Sequence, residues 1–108
     1  MSLKDKEKWN KKYASEEYIT GKEPSSWLKE NAGLLNTNGK ALDIAGGEGR
    51  NSVFVASRGY EVTCLDISKN GLTKALALAH EKKAKITTLH VDLDNSSLPE
   101  NEYDLVLC

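Results

Sequence analysis

A chain of 108 residues, 39% apolar and 29% charged, has the size of one domain and the composition of a soluble globular one, which excludes disordered and fibrous classes. Its 15 basic against 16 acidic residues leave a net charge of −1, too little positive charge to hold a phosphate backbone or an anionic membrane, so nucleic acid is disfavoured as a partner. The start, MSLKDKEKW, lacks the apolar core of a signal peptide, and no stretch reaches the roughly 18 apolar residues of a membrane span. Cys64 and Cys108 form no CxxC pair and no cluster with His80 or His90, which points to a reducing compartment without structural zinc. A cytoplasmic protein is expected.

In chain order, LKDKEKWNKKYA (3–14) predicts a helix with Trp9 and Tyr13 paired at i and i+4. SEEYITGKEP reads as a loop, and SSWLKENAGLL (25–35) as a second helix with Trp27 and Leu28 inward and Ser25 or Ser26 at its cap. The turn NTNG leads into KALDIA, and from there strands and helices alternate. The spacing predicts strands at 40–45, 60–66, 86–91 and 103–108, with helices at about 50–58 and 69–82. Such alternation implies right-handed crossovers and a parallel sheet. With strand order 3-2-1-4, a crevice opens between strands one and four, where nucleotide-type ligands bind.

Gly46, Gly47 and Gly49 follow the first strand and precede the helix that starts near Arg50. Glycines there let a ligand touch the backbone, and the helix start offers free amides. A tight turn without a ligand is the alternative. The loop is acidic, flanked by Asp43 and carrying Glu48, which suits a cationic ligand better than a dianion. Gly49 is followed by Arg50 and Asn51, not by the Lys and Ser or Thr of a phosphate loop, and the third glycine of a dinucleotide fingerprint is missing. Asp66 ends the second strand, placed to accept hydrogen bonds from two ribose hydroxyls; it could instead cap the following helix, although Ser68 can do that alone. Asp92, at the end of the third strand, could accept from an adenine amine beside Leu93.

The stretch ALDIAGGEGRNSVFVASRGYEVTCLDIS, with HVDLDNSSLPENEYDLVLC after it, resembles the cofactor-binding motifs of class I S-adenosylmethionine-dependent methyltransferases. KWNKKYASEEYITGKEPSSWL resembles the lead-in of their tellurite-resistance and thiopurine-like branch. The resemblance implies an α/β, Rossmann-like three-layer sandwich, with residues 1–36 as a helical lead-in and lid and 37–108 as the S-adenosylmethionine-binding half. It implies that Asp43 orients the methionine portion, that Ala45, Gly46 and Gly47 allow close backbone approach, and that Gly49, Arg50 and Asn51 form the helix entry. By the same resemblance Asp66 holds the ribose, Ile67 packs on the adenine, Asp92 and Leu93 meet its edge, Tyr13 and Tyr18 close over the methionine end, and Cys108 lies near the methyl group. Ala45 replaces the family's usual first glycine, which is harmless if its φ is negative.

Family members have about seven strands, whereas this sequence stops as the fourth ends. Full burial of side chains such as Leu105, Val106 and Leu107 is worth roughly 1.5 to 3 kcal/mol each, so an uncovered fourth strand predicts either a fragment of a longer product or a homodimer through 103–108. No general base can be assigned, and methyl transfer from a sulfonium needs mainly alignment and exclusion of water. The expected function is methyl transfer to a small-molecule acceptor, with a non-catalytic cofactor-binding module completed by a partner chain as the alternative.

Overall fold

The computed structural model describes residues 3–15, 17–35, 38–91 and 103–108, so Asp92 and Leu93 lie outside the described residues. Strands β1 (Gly39–Ile44), β2 (Tyr60–Asp66), β3 (Ile86–His90) and β4 (Leu105–Leu107) form one parallel sheet in the order β3-β2-β1-β4, as expected. Its register sets Ala41 beside Val62 and Leu105, and Val62 beside Ile86. Ala41, Leu42 and Asp43 are buried in succession, the pattern of a strand covered on both faces. The expected strand 103–108 shortens to three residues, and the others shift by one residue at most at either end.

Helices α3 (Arg50–Ser57) and α4 (Lys69–Glu81) carry the β1–β2 and β2–β3 crossovers. Both crossovers run toward the same sheet edge, so a common hand puts both helices on one face. There they enclose a core that includes Val53, Val55, Leu72, Ala75 and Leu78, with Ala41, Val62 and Cys64 from the sheet. Leu105 and Leu107 pack against this core from β4. On the opposite face Leu89 and Val106 are 41% and 54% exposed.

The lead-in holds α1 (Leu3–Lys12), α2 (Ser26–Glu30) and a 3₁₀ turn at Ala32–Leu34. The second helix is therefore shorter than expected. The Asn31 side chain donates to the carbonyl of Trp27 at 2.8 Å, and Gly33 weakens any continuation. Ser25 caps α2 by accepting the Leu28 N–H. Trp27 was expected inward beside Leu28, but it is 66% exposed while Leu28 is buried. Successive helical residues point about 100° apart, and a one-turn helix has room on its inner face for only one of them. Among the described residues no helix is long and apolar enough to cross a membrane.

Candidate functional site

The glycine loop leaves β1 at its carboxyl end, where the strand order reverses. The Gly46 N–H donates to the Leu65 carbonyl at 2.9 Å, tying the loop to β2. Gly47 and Gly49 take φ values of +58° and +85°. At both, a side chain would collide as well as strain the backbone: a Cβ on Gly49 would lie 2.5 Å from that of Ala75, and one on Gly47 2.9 Å from the Tyr13 hydroxyl. Ala45 departs from expectation, since its φ is +57° rather than negative. The turn out of β1 demands a left-handed residue there, and alanine adopts it at a cost of roughly 1 to 2 kcal/mol.

Asp66 is 5% exposed and binds both sides of the crevice entrance. Its Oδ2 accepts the Gly47 N–H at 2.8 Å and its Oδ1 accepts the Ser68 N–H at 2.9 Å. The helix cap falls to Ser68, whose hydroxyl accepts the Gly71 N–H at 3.0 Å. Asp43 is also buried and accepts the Ser52 hydroxyl at 2.6 Å. Burial pushes its carboxyl above the usual range and the negative charge of Asp66 adds to this, although the Ser52 bond works against it. Two carboxylates that repel each other at a crevice form a setting in which a cation is welcome. Burial likewise drives the Cys64 thiol up to about 12, so it is no nucleophile.

Asp43 and Glu48, the acidic residues of the loop, line one cavity as the sequence suggested, and Asp66 adds a third carboxylate in the neighbouring one. The Glu48 carboxylate is already occupied: its Oε1 accepts the N–H and hydroxyl of Thr20, and its Oε2 accepts the Ile19 N–H and the Lys74 ammonium at 2.9 Å. Burial raises the Glu48 carboxyl, but the bonds from Thr20, Lys74 and Ile19 outweigh it and hold the group below its ordinary value.

Two neighbouring cavities share Tyr13 and Ala45. One, of about 160 Å³, is lined by Asp43, Gly46, Gly47, Glu48, Arg50, Asn51 and Cys108, with Thr20 from the lead-in. The other, of about 130 Å³, is lined by Asp66 and Ile67, with Trp9 from α1. Most of the expected site residues therefore meet in one crevice. Gly49 instead serves the α3–α4 contact, and Tyr18 faces elsewhere, its hydroxyl donating to the Lys74 carbonyl at 2.7 Å. Asn51 lines the crevice but also accepts the Ser25 N–H at 2.8 Å, anchoring α2. The Tyr13 ring lies against Trp9 with centroids 5.7 Å apart, and its hydroxyl is raised to about 12 by burial, with help from the charges of Asp66 and Glu48.

Sequence reasoning missed Asn10, Trp9, Thr20 and Lys74. Asn10 docks α1 on the start of α4, its Oδ1 accepting from the Ser68 hydroxyl at 3.1 Å and the Asn70 N–H at 3.0 Å, its carbonyl from the Asn70 side chain at 2.8 Å. A single polar residue on a charged helix gives no signal of such a contact. Trp9 was legible as half of an aromatic pair, though not as a crevice wall. His90 makes a 2.8 Å contact with the Ile67 carbonyl, which makes it structural. No group of His, Cys, Asp and Glu suited to a metal occurs among the described residues.

A family model described as a methyltransferase domain matches residues 41–108. Over 68 residues, 63% of this chain and 23% of the relative, the sequence is 31% identical to a probable S-adenosyl-L-methionine-dependent methyltransferase, TehB, of Haemophilus influenzae. The crystal structure of TehB from Haemophilus influenzae covers 94% of this chain and 32% of its own, with 25% identity and a TM-score of 0.66. A methyltransferase from Geobacter sulfurreducens, solved with S-adenosyl-L-homocysteine, covers 74% of this chain and 34% of its own, with 25% identity and a TM-score of 0.60. The chain thus spans about a quarter of its curated relative and about a third of these two structures. The matched segment is the one that builds the sheet, the glycine loop and Asp66, and the chain belongs to the methyltransferase-domain family, of the class I, S-adenosylmethionine-dependent type.

Proposed function

We propose that this chain is the cofactor-binding part of an S-adenosylmethionine-dependent methyltransferase that acts on a small-molecule acceptor. The observation that carries the reading is Asp66, held rigid at the tip of β2 by the Gly47 and Ser68 amides. A carboxylate offers about four acceptor sites, so two remain for the hydroxyls of a ribose. Ile67, beside it in the same cavity, provides an apolar face for adenine. Asp43 and Asp66 supply negative charge where a sulfonium and an ammonium would lie. S-adenosylmethionine, when bound, supplies an already activated methyl group. The chain's own residues have only to orient the cofactor and exclude water, with Tyr13 and Trp9 covering the crevice from the lead-in.

On this reading residues 1–36 are the lid and 37–108 the cofactor-binding half, with Asp92 and Leu93 as the adenine-edge residues. The net charge of −1 supports a small acceptor over a nucleic acid, and two unpaired cysteines support a reducing, cytoplasmic setting. Calorimetric titration of S-adenosyl-L-homocysteine into the purified chain tests the core of the reading. Wild type is expected to bind, and Asp66→Ala to bind about 10- to 150-fold more weakly, the equivalent of a lost charge-assisted hydrogen bond or two. A wild-type chain that is folded by circular dichroism and does not bind would overturn it.

A further inference from the structure

Glu48 is the most thoroughly used polar side chain in the described molecule, and the cofactor reading gives it no task. At 1% exposure its carboxylate is cut off from water. Four donors reach it: the Ile19 N–H at 3.1 Å, the Thr20 N–H at 3.0 Å, the Thr20 hydroxyl at 2.9 Å and the Lys74 ammonium at 2.9 Å. Lys74 in turn donates to the Glu17 carbonyl at 2.6 Å, and Tyr18 donates to the Lys74 carbonyl at 2.7 Å. Every residue of the strap 17–20 is thereby tied to either Glu48 or Lys74. Apolar burial does not hold the strap at Ile19, whose side chain is 44% exposed. Tyr18 packs against the hydrophobic core, and the polar latch fixes the strap on either side of it.

The latch and the crevice share their parts. Glu48 stands between Gly47 and Gly49, the two left-handed residues that shape the loop, and it lines the same cavity as Asp43 and Gly47 while its carboxylate oxygens are taken by the strap and Lys74. Thr20, once held, becomes a wall of the cavity that contains Asp43 and Gly47. A buried ion pair of this kind seldom exceeds an apolar pair in stability, and its better-attested use is to define one arrangement among several. Here the arrangement defined is that of the strap against the ligand-facing loop.

We propose that Glu48 is a positioning residue: through Lys74 and the amides of residues 19 and 20 it makes the strap a wall of the cofactor crevice, so that cofactor binding and strap closure form one coupled equilibrium. The inference rests on the cofactor reading above. Coupling is reciprocal, so a ligand that settles the loop tightens the strap, and a loosened strap weakens the ligand.

The test combines amide hydrogen exchange on the whole chain, with and without S-adenosyl-L-homocysteine, and calorimetric titration of wild type, Glu48→Gln and Lys74→Met. Wild type is expected to show slower exchange at Ile19 and Thr20 when the ligand is present. Glu48→Gln is expected to bind about 10-fold more weakly or worse and to lose that ligand-dependent slowing, while β1 and β2 amides keep their protection. Lys74→Met, on α4 and outside the cavity lining, is expected to act in the same direction and to be less than additive with Glu48→Gln. Unchanged affinity in a folded Glu48→Gln, or exchange at Ile19 and Thr20 that ignores the ligand in wild type, would overturn the proposal; the second readout needs no variant to fold. Failure of wild type to bind at all would fell the cofactor reading, and the coupling with it, and is told apart because it is seen before any substitution is made.

Discussion

Ala45 occupies a backbone conformation that favours glycine, at the point where β1 opens into the ligand-facing loop and where both cavities meet. Strain of this kind persists only where surrounding structure over-determines it. Here the Gly46 amide is bonded to Leu65 on one side and Gly47 to Asp66 on the other. Ala45→Gly is expected to raise the stability of the chain by about 1 kcal/mol, since relief of the left-handed strain outweighs the added freedom of the unfolded chain. The urea midpoint measures it, and a lower midpoint would show that Ala45 is not strained. The three glycines and Asp66 were legible at this scale because their chemistry follows from local spacing. The positive φ of Ala45 was not, because alanine in a sequence signals the opposite.

Among elements, the lead-in and the α/β sheet join through several polar contacts, among them Asn10 on the start of α4, Asn51 on the Ser25 amide and the Glu48–Lys74 latch on the strap. The latch carries a pH signature. The folded chain holds Glu48 below its ordinary value of 4.5, so its contribution is fully present above that pH and is lost as pH falls through the depressed value. Wild type is therefore expected to lose more stability than Glu48→Gln between neutral pH and the acid side of pH 4.5, read as urea midpoints across that range. Asp43 is shifted upward and acts in the opposite sense, but it is common to both proteins and cancels in the comparison. Parallel slopes for the two proteins would contradict the assignment. The elements themselves were legible from periodicity, apart from the early end of α2, where a side chain and a glycine acted against a weak helical pattern.

For the molecule as a whole, the open feature is β4, which pairs only with β1 among the described residues while Val106 is 54% exposed. A strand with an unpaired edge is a template for another strand. We propose that the 108-residue chain, taken by itself, pairs through this edge with a second copy, their fourth strands antiparallel across a two-fold axis. Sedimentation velocity over a concentration series is expected to show a dimer in wild type and its loss in Val106→Lys, since a charge beside the edge opposes pairing. A clean monomer at high concentration would refute the dimer.

The sequence by itself determined the α/β class, the glycine loop and the acidic tip of β2. Each rests on residues close together in the chain, through alternation of apolar runs and the special backbone needs of a strand-to-helix turn. Only the tertiary structure decided which carboxylate serves the crevice. Glu48 lies closer than Asp66 to the loop centre in sequence and lines the crevice, yet its oxygens are taken up by Lys74, 26 residues further on, and by Thr20, 28 residues back. Charge in a loop is visible in a sequence, but the direction of a side chain depends on donors brought up by other elements, and those become neighbours only when the sheet and helices pack.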